Sequence, residues 1–413
     1  MPPEILIVGG GPAGASTAIH LARLLPSFRD RVLLVDKQVF PREKPCGGGL
    51  SGRALAALEA MDVRVTVPSV TTDVVQYRFG ERMSSYRVPG ACRIVRRSEF
   101  DAMLLGVARD RGIEVSEGEG LVALESGGGR PRVRTTRRAL APRVVVGADG
   151  AGSLVRRLAG LPEPRAFARL HQFEIPVREA ETREFIDGSF TFDYTPVPSG
   201  VEGYVWDFPS RIAGEPHMNC GIFHRNASAK EPTRARLLAL LADHVARRGH
   251  DPRAARLRSY PDVEYDPRAP IARPGVLLAG SAAGVNPLTG EGIWQSIEYG
   301  RLVAEAIAAA YGAGDFRFAE YGARVARSPM GRDLRLSRRL ADLFYGRLFW
   351  PLYSFQERNE DLRLAFIRSL AGQFDLARIP KASLVARWWW HLAVGARLTP
   401  NPGPGPWAEA LAG

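Results

Sequence analysis

Residues 5 to 14 read Ile-Leu-Ile-Val-Gly-Gly-Gly-Pro-Ala-Gly, and they leave the chain few ways to fold. A short apolar strand runs straight into Gly9, Gly11 and Gly14 in G-x-G-x-x-G spacing, and Pro12, Ala13 and a helix-forming run follow. Each glycine has its own task in such a turn. The first permits the tight bend, the second lets backbone approach a pyrophosphate, and the third lets the helix pack closely on the strand. The phosphates then meet the free N–H groups and positive dipole end of the helix. A second apolar strand, Arg31-Val-Leu-Leu-Val, ends at Asp36. That is the place, about 20 residues on, from which an acid accepts the ribose 2′-OH. Glycines alone would predict only a turn. Strand, helix and terminal acid in register predict a dinucleotide site in a Rossmann-like α/β sheet.

The 413 residues suffice for more than one substructure. A hydrophobic fraction of 45% with 24% charged residues is that of a globular protein, not a disordered one. The first strand begins at Glu4, leaving no room for a secretory leader. The three cysteines, Cys46, Cys92 and Cys220, are too scattered for a disulfide framework, and neither they nor the histidines have metal-ligand spacing. No run of 18 apolar residues is present. The expectation is a cytoplasmic protein without metal. The net charge of +12 raises the question of nucleic acid. Only four of the 56 basic residues are lysine, a bias of genomic composition, and no nucleic-acid motif occurs, so no nucleic-acid partner is expected. From Tyr321 onward, 14 basic residues face 7 acidic ones, and five of the seven tryptophans lie from Trp350 on, with Trp388 to Trp390 consecutive. Helix packing accounts for such a segment, and so does peripheral contact with a bilayer.

Three later motifs extend the first. Val144-Val-Val-Gly-Ala-Asp-Gly-Ala-Gly-Ser153 delivers Asp149 and Gly150 to a turn at a strand's carboxyl end, where ligands bind in such sheets. Gly275-Val-Leu-Leu-Ala-Gly-Ser-Ala-Ala-Gly284 ends a buried strand in small residues, Gly280 and Ser281 among them. Asn286-Pro-Leu-Thr-Gly-Glu-Gly292 then points a helix beginning at Ile293 into the site, with Pro287, Gly290 and Gly292 at its approach. Arg97, in Arg93-Ile-Val-Arg-Arg-Ser-Glu-Phe-Asp101, opens a helix within reach of a phosphate or adenine. Strand and helix signals alternate early, strands dominate from about Gln172 to His224, and the end is helical. These shifts predict an α/β (α+β overall) architecture: a discontinuous nucleotide domain over 1–75, 91–160 and 262–325, a β-rich substrate domain over 76–90 and 161–261, and a helical region over 326–413.

In this order and at these separations, the motifs over about residues 4 to 310 resemble the flavoprotein family typified by the aromatic hydroxylases. Two stretches narrow the resemblance to geranylgeranyl reductases. Arg42-Glu-Lys-Pro-Cys-Gly-Gly-Gly-Leu50 is similar to their K-x-C-G-G-G segment, and Gly203-Tyr-Val-Trp-Asp-Phe-Pro209 to their Y-x-W-x-F-P motif. The resemblance implies FAD, held by the glycine turn, Asp36, Lys37, Arg42, Arg97, the Asp149–Gly150 and Gly280–Ser281 turns and the Gly290–Ile293 helix start. It implies saturation of isoprenoid double bonds by hydride from reduced flavin. Two departures stand out: Ser281 replaces the usual acid, and Val201 stands where a proline often leads the aromatic motif. A hydroxyl bonds the ribityl chain without charge assistance, so FAD is expected to be held less tightly.

Cys46, Gly47 and Gly48 are then expected against the flavin, the glycines because only they let backbone lie on a flat ring. Cys46 and Tyr204 are candidate proton donors, with water as the alternative, although a free cysteine is as commonly a small buried hydrophobe. Tyr204, Trp206 and Phe208 share one face of a strand, either as sheet core or as the wall of an apolar substrate site. Competing readings are an FAD monooxygenase of the hydroxylase type, a halogenase, and a flavoprotein that binds or senses without catalysis. The resemblance to halogenases requires an early lysine, and none occurs between Lys44 and Lys230. One dinucleotide fingerprint, occupied by FAD, leaves NAD(P)H at the surface or a ferredoxin as the electron donor.

Overall fold

The computed structural model describes residues 2–126, 129–225, 232–346 and 348–373, together with 379, 382–384 and 386–388. Its first sheet has six strands in the order Ala272–Arg273, Val276–Leu278, Val144–Gly147, Ile5–Val8, Val32–Asp36, Glu114–Glu117. The pairings are parallel except at the Ala272–Arg273 edge. Ile5–Val8, Val32–Asp36 and Val144–Gly147 are buried throughout, as continuous apolar runs in a sheet covered on both faces must be. The chain leaves Ile5–Val8 first to one side and later to the other, so strand order reverses there, and the glycine turn sits at that switch point.

The helix Pro12–Leu24 starts with proline at its first turn and carries no side-chain cap, leaving its N–H groups facing outward. It packs on the helix Ile293–Ala313 at close range. A Cβ on Gly300 would stand 2.5 Å from Ser16 Oγ, and that hydroxyl donates to the Ile297 carbonyl at 2.7 Å. Both helix starts are thereby aimed at one end of the sheet.

The second sheet has eight strands, ordered Arg256–Val263, Phe167–Pro176, Glu215–Arg225, Gly203–Ile212, Ser189–Asp193, Ser69–Phe79, Arg82–Val95, Gly49–Ser51. The period-two alternation gives it two different faces. Tyr204, Trp206 and Phe208 lie in an aromatic cluster on one side, while Val205 joins Cys220, Ile222 and Leu241 on the other, beneath the helix Arg234–Arg247. On that covered face Asp207 accepts from His244 Nε2 at 2.9 Å and pairs with Arg248 at 3.3 Å. Burial would raise the Asp207 carboxyl, but His244 and then Arg248 outweigh it and hold it well below its ordinary value.

The sheet takes in more of the early chain than the 76–90 expected. Ser69–Phe79 and Arg82–Val95 form one long hairpin, paired from Ser69↔Val95 to Phe79↔Arg82, and Gly49–Ser51 adds to its edge. Thr71, Thr72 and Asp73 give the start of this strand the polar composition of a loop. A small third sheet pairs Leu121–Glu125 with Arg132–Thr135, and that strand with Ala139–Leu140, all antiparallel.

Helices Tyr321–Arg327, Pro329–Phe344, Phe349–Glu357 and Glu360–Leu370 follow. They are tied to both sheets: Tyr321 donates to the Leu278 carbonyl at 3.0 Å, and Asp342 accepts from the buried Arg225 at 2.9 Å beside Glu264. Among the described residues no helix is long and apolar enough to cross a membrane. Trp389 and Trp390 lie outside the described residues, and Trp388 packs edge-on against Phe355.

Candidate active site

Two cavities meet at the carboxyl end of the six-stranded sheet. The larger, of about 660 Å³, runs past Gly9, Gly11, Pro12 and Ala13 to Asp36 and Lys37, and past Asp149, Gly150 and Ser281 on its other side. The smaller, of about 110 Å³, is walled by Phe190, Phe192, Tyr204, Trp206, Phe208 and Phe223. Cys46, Leu170, Gly290, Gly292 and Ile293 belong to both.

The three glycines of the turn differ in what a side chain at each would meet. A Cβ on Gly9 would lie 2.3 Å from the Ala148 carbonyl oxygen, and one on Gly14 1.9 Å from that of Gly9. Those positions serve the fold, and Gly14 sits behind the groove. A Cβ on Gly11 would meet nothing nearer than Arg42 Nη2 at 3.5 Å, so the space over Gly11 is free for a ligand. Beside it, Arg42 Nη1 is buried without a hydrogen-bond partner. An unpartnered guanidinium nitrogen next to a helix N-terminus is a fit for a pyrophosphate oxygen.

Arg97 lines the same groove with its guanidinium held by Asp101 in two bonds of 2.8 and 2.9 Å. Burial would lower its pKa, yet Asp101 and then Cys46 raise it overall, so it stays a cation beside the cysteine. Asp149 accepts from Ser153 Oγ at 2.5 Å and from the Leu154 and Val155 N–H groups at 2.7 and 3.1 Å, capping a short helix while facing the groove. Burial raises its carboxyl above the usual range. Gly280 does not line the groove; a side chain there would strike Ala13 at 2.8 Å.

The glycine triplet has a different reason for being glycine than the one expected. A Cβ on Gly47 would stand 2.8 Å from the Phe208 ring and one on Gly48 2.0 Å from the Val95 carbonyl oxygen. Gly47 and Gly48 face the aromatic cavity, not the larger groove. Pro287 is buried and lines neither cavity, because Asn286 folds the segment back through a bond from Leu288 N at 2.8 Å.

The aromatic wall is built for fit. Gly221 lies opposite Trp206, and a Cβ there would come within 2.1 Å of the indole. Trp206 Nε1 donates to Asn219 Oδ1 at 2.9 Å, and Asn219 Nδ2 donates to the Cys46 carbonyl at 2.9 Å. Cys46 Sγ accepts the Gly48 N–H at 3.4 Å. Tyr204 donates its hydroxyl to the Thr289 carbonyl, and burial, with Tyr194 adding, pushes its pKa well up. At neutral pH it holds its proton.

Several contributors were not singled out in the sequence. Phe190 and Phe192 repeat the alternation of Tyr204 to Phe208, so Ser189-Phe-Thr-Phe-Asp-Tyr194 carried the signal. Lys44, inside the quoted K-x-C-G-G-G segment, lines the larger groove with its ammonium over the Tyr260 ring. Burial lowers it to about 7, against the pull of Asp262. Glu291 and Asn219 gave no sequence signal of their own.

Comparison with known proteins agrees with this geometry. The chain is 30% identical over 377 residues to the menaquinone reductase of Mycobacterium tuberculosis, covering 84% of this chain and 85% of that protein. It is 28% identical over 361 residues to digeranylgeranylglycerophospholipid reductase 1 of Methanothermobacter thermautotrophicus, covering 80% and 84%. Similar solved folds include a geranylgeranyl bacteriochlorophyll reductase-like protein from Thermoplasma acidophilum, with TM-score 0.63, 20% identity and 93% and 95% coverage. The flavin-dependent brominase Bmp2 is similar too, with TM-score 0.67, 20% identity and 95% and 99% coverage. Residues 3–333 match the FAD binding domain family, and with the cradle over Gly11 and the reductases among its relatives, the chain belongs to that family as an FAD-dependent oxidoreductase related to the geranylgeranyl reductases and the aromatic-hydroxylase-like flavoproteins.

Proposed function

We propose that this flavoprotein saturates carbon–carbon double bonds of an isoprenoid or similar polyunsaturated lipid chain. One observation carries the reading: a small aromatic cavity opens onto the cofactor groove through Cys46 and the Gly290–Ile293 segment. At about 110 Å³ it is smaller than the ~300 Å³ at the low end of pockets for drug-sized ligands, so it suits one segment of a chain and not a whole lipid. Relatives named menaquinone reductase and digeranylgeranylglycerophospholipid reductase support the choice of substrate class.

FAD held in the larger groove, over Gly11 and beside Arg42 and Asp36, would supply hydride when reduced. Trp206, Phe208 and the other rings keep water out and hold the alkene flat against the junction. Asn219 fixes Trp206 and the Cys46 backbone relative to each other, so Cys46 positions the substrate as it enters. Among the described residues no lysine lines the aromatic cavity, which agrees with a reaction other than halogenation. NAD(P)H and a ferredoxin are both proposed as electron sources, separable by stopped-flow reduction with each.

The substrate class also supports a membrane-facing surface. On the helix Pro329–Phe344, Arg332, Leu336, Arg339 and Leu343 share one exposed stripe, and exposed Leu348 and Trp350 continue it. Arginines interleaved with apolar side chains match the headgroups and acyl boundary of an anionic bilayer.

The deciding experiment reduces the flavin anaerobically and mixes it with geranylgeranyl lipids, with an oxygen arm alongside. Reoxidation by alkene without oxygen, with a saturated product, supports the reductase. Reoxidation by oxygen alone, with a hydroxylated product, identifies a monooxygenase instead.

A further inference from the structure

Glu291 stands between the two glycines that lead into the helix Ile293–Ala313, and it lines the aromatic cavity. One carboxylate oxygen takes the hydroxyl of Ser51, which lines the same cavity. The other, Oε2, is shut off from solvent and makes no hydrogen bond. One helical turn on, the fully buried Gln295 sets its amide beside that carboxyl as a weak hydrogen-bonding neighbour, outside ordinary bonding geometry. A carboxylate with one oxygen closed off from water and poorly paired is costly, whereas the neutral acid tolerates this setting. Burial raises the carboxyl above its ordinary range. Ser51 and Arg53 pull the other way, Asp333 adds to the rise, and Gln295 opposes it. Arg53 is itself occupied by Asp333 at 2.9 Å and by Ser369.

The other acids of the cavity are poor donors. Tyr204 has given its hydroxyl to Thr289, and burial raises both Tyr204 and Cys92. A carboxylic acid is intrinsically a stronger acid than a phenol or a thiol, Cys46 included, by several pKa units, and one whose surroundings favour its neutral form both holds a proton and releases it readily.

Resting on the reductase reading above, we infer that Glu291 is the acid that protonates the alkene. The π pair forms a new C–H bond with the carboxyl proton as the O–H bond breaks, and hydride from the reduced cofactor forms the C–H bond on the neighbouring carbon. The alkene gains two electrons and the flavin loses them. Glu291 is left as carboxylate, with one oxygen on the Ser51 hydroxyl, and recovers its proton from water by way of that hydroxyl.

The test compares wild type with Glu291→Gln and Glu291→Asp, each purified with FAD and reduced anaerobically, using geranylgeranyl lipid as the probe. Glu291→Gln should keep its flavin spectrum, slow alkene-driven reoxidation by roughly 100-fold or more, and lose both the fall in rate at high pH and the solvent isotope effect. Glu291→Asp should restore part of the rate and the pH dependence. Infrared spectra of the resting proteins give a reading free of turnover: wild type at neutral pH should show a carboxylic-acid C=O band that Glu291→Gln lacks. Equal rates and pH profiles in wild type and Glu291→Gln, or an ionised Glu291 in the infrared, overturn the assignment while leaving the reductase standing. A wild-type enzyme that no alkene reoxidises overturns the reductase reading, and this assignment falls with it.

Discussion

Asp36 accepts the backbone N–H of Gly10 at 2.7 Å, tying the end of one strand across to the glycine turn that begins from its neighbour. Its second oxygen accepts the Gln38 N–H at 2.8 Å. The acid expected to serve a ribose thus also holds the turn, and lone pairs remain on both oxygens for a ligand hydroxyl.

Asparagine in its place offers one acceptor where two are used. Asp36→Asn should therefore lower the melting temperature of the apoprotein as well as weaken FAD, the lost charged-group bond being worth about 1.5–3 kcal/mol. Thermal melts without cofactor check the first effect and flavin fluorescence titration the second. An apoprotein of unchanged stability would return Asp36 to ligand contact alone.

Lys44 should couple cofactor binding to protons. With a pKa of about 7 before any cofactor binds, it is largely neutral above that pH. An anionic cofactor nearby favours the ammonium, so its pKa rises on binding and protons are taken up. The uptake should be largest just above pH 7 and fade below pH ~6, where Lys44 is already charged. Calorimetric titration with FAD in buffers of different ionisation enthalpy measures it. Lys44→Met should abolish it, and release of protons by the wild type would contradict the sign.

Ser281 lines the groove where a carboxylate would add charge assistance to the ribityl contact. Ser281→Asp should tighten FAD by about 1 kcal/mol, a factor of about five. Equal or weaker affinity by calorimetry would mean that the groove is shaped around the shorter side chain.

Cys46 is expected to act through shape at the junction. Cys46→Ala should retain FAD and either slow alkene-driven reoxidation by several-fold or shift which double bonds react, without removing the pH dependence assigned to Glu291. Unchanged rates and products would make it a simple filler of the wall.

The exposed stripe of Arg332, Leu336, Arg339 and Leu343 should give reversible, salt-sensitive binding to anionic vesicles. Each basic residue contributes on the order of 1 kcal/mol near the surface. Arg332→Glu with Arg339→Glu should lower cosedimentation at low salt by roughly tenfold or more. A variant that still sediments with the vesicles, or a wild type that ignores them, would remove this face from consideration.

The cofactor half of the molecule was legible because its demands fall on backbone. Gly14 is dictated by a sub-3 Å approach to Gly9 and Gly11 by open space, both within one local segment that can be read in order; Gly9 was legible from its place in that spacing, although the backbone it would strike is that of Ala148, at the end of another strand. The substrate half was less so. Tyr204, Trp206 and Phe208 could be placed on one face by alternation, but their partners Phe190, Phe192 and Phe223 arrive from other strands, and only pairing register brings them together. Gly47 shows the limit from the other side: its type was legible, its reason was not, because Phe208 lies 161 positions along the chain from it. Glu291 was hidden for a similar cause, since its chemistry comes from burial beside Ser51 and Gln295 rather than from any spacing.

Because Cys46 and the Gly290–Ile293 segment border both cavities, any side chain enlarged there is felt by cofactor and substrate together. Change that leaves the larger groove untouched is confined to the far wall, where Phe190, Phe192 and Phe223 touch only the smaller cavity. The architecture thus separates a frozen partition from an adjustable mould, and a fold built this way can reshape its smaller cavity by editing two strands while its larger groove stays still.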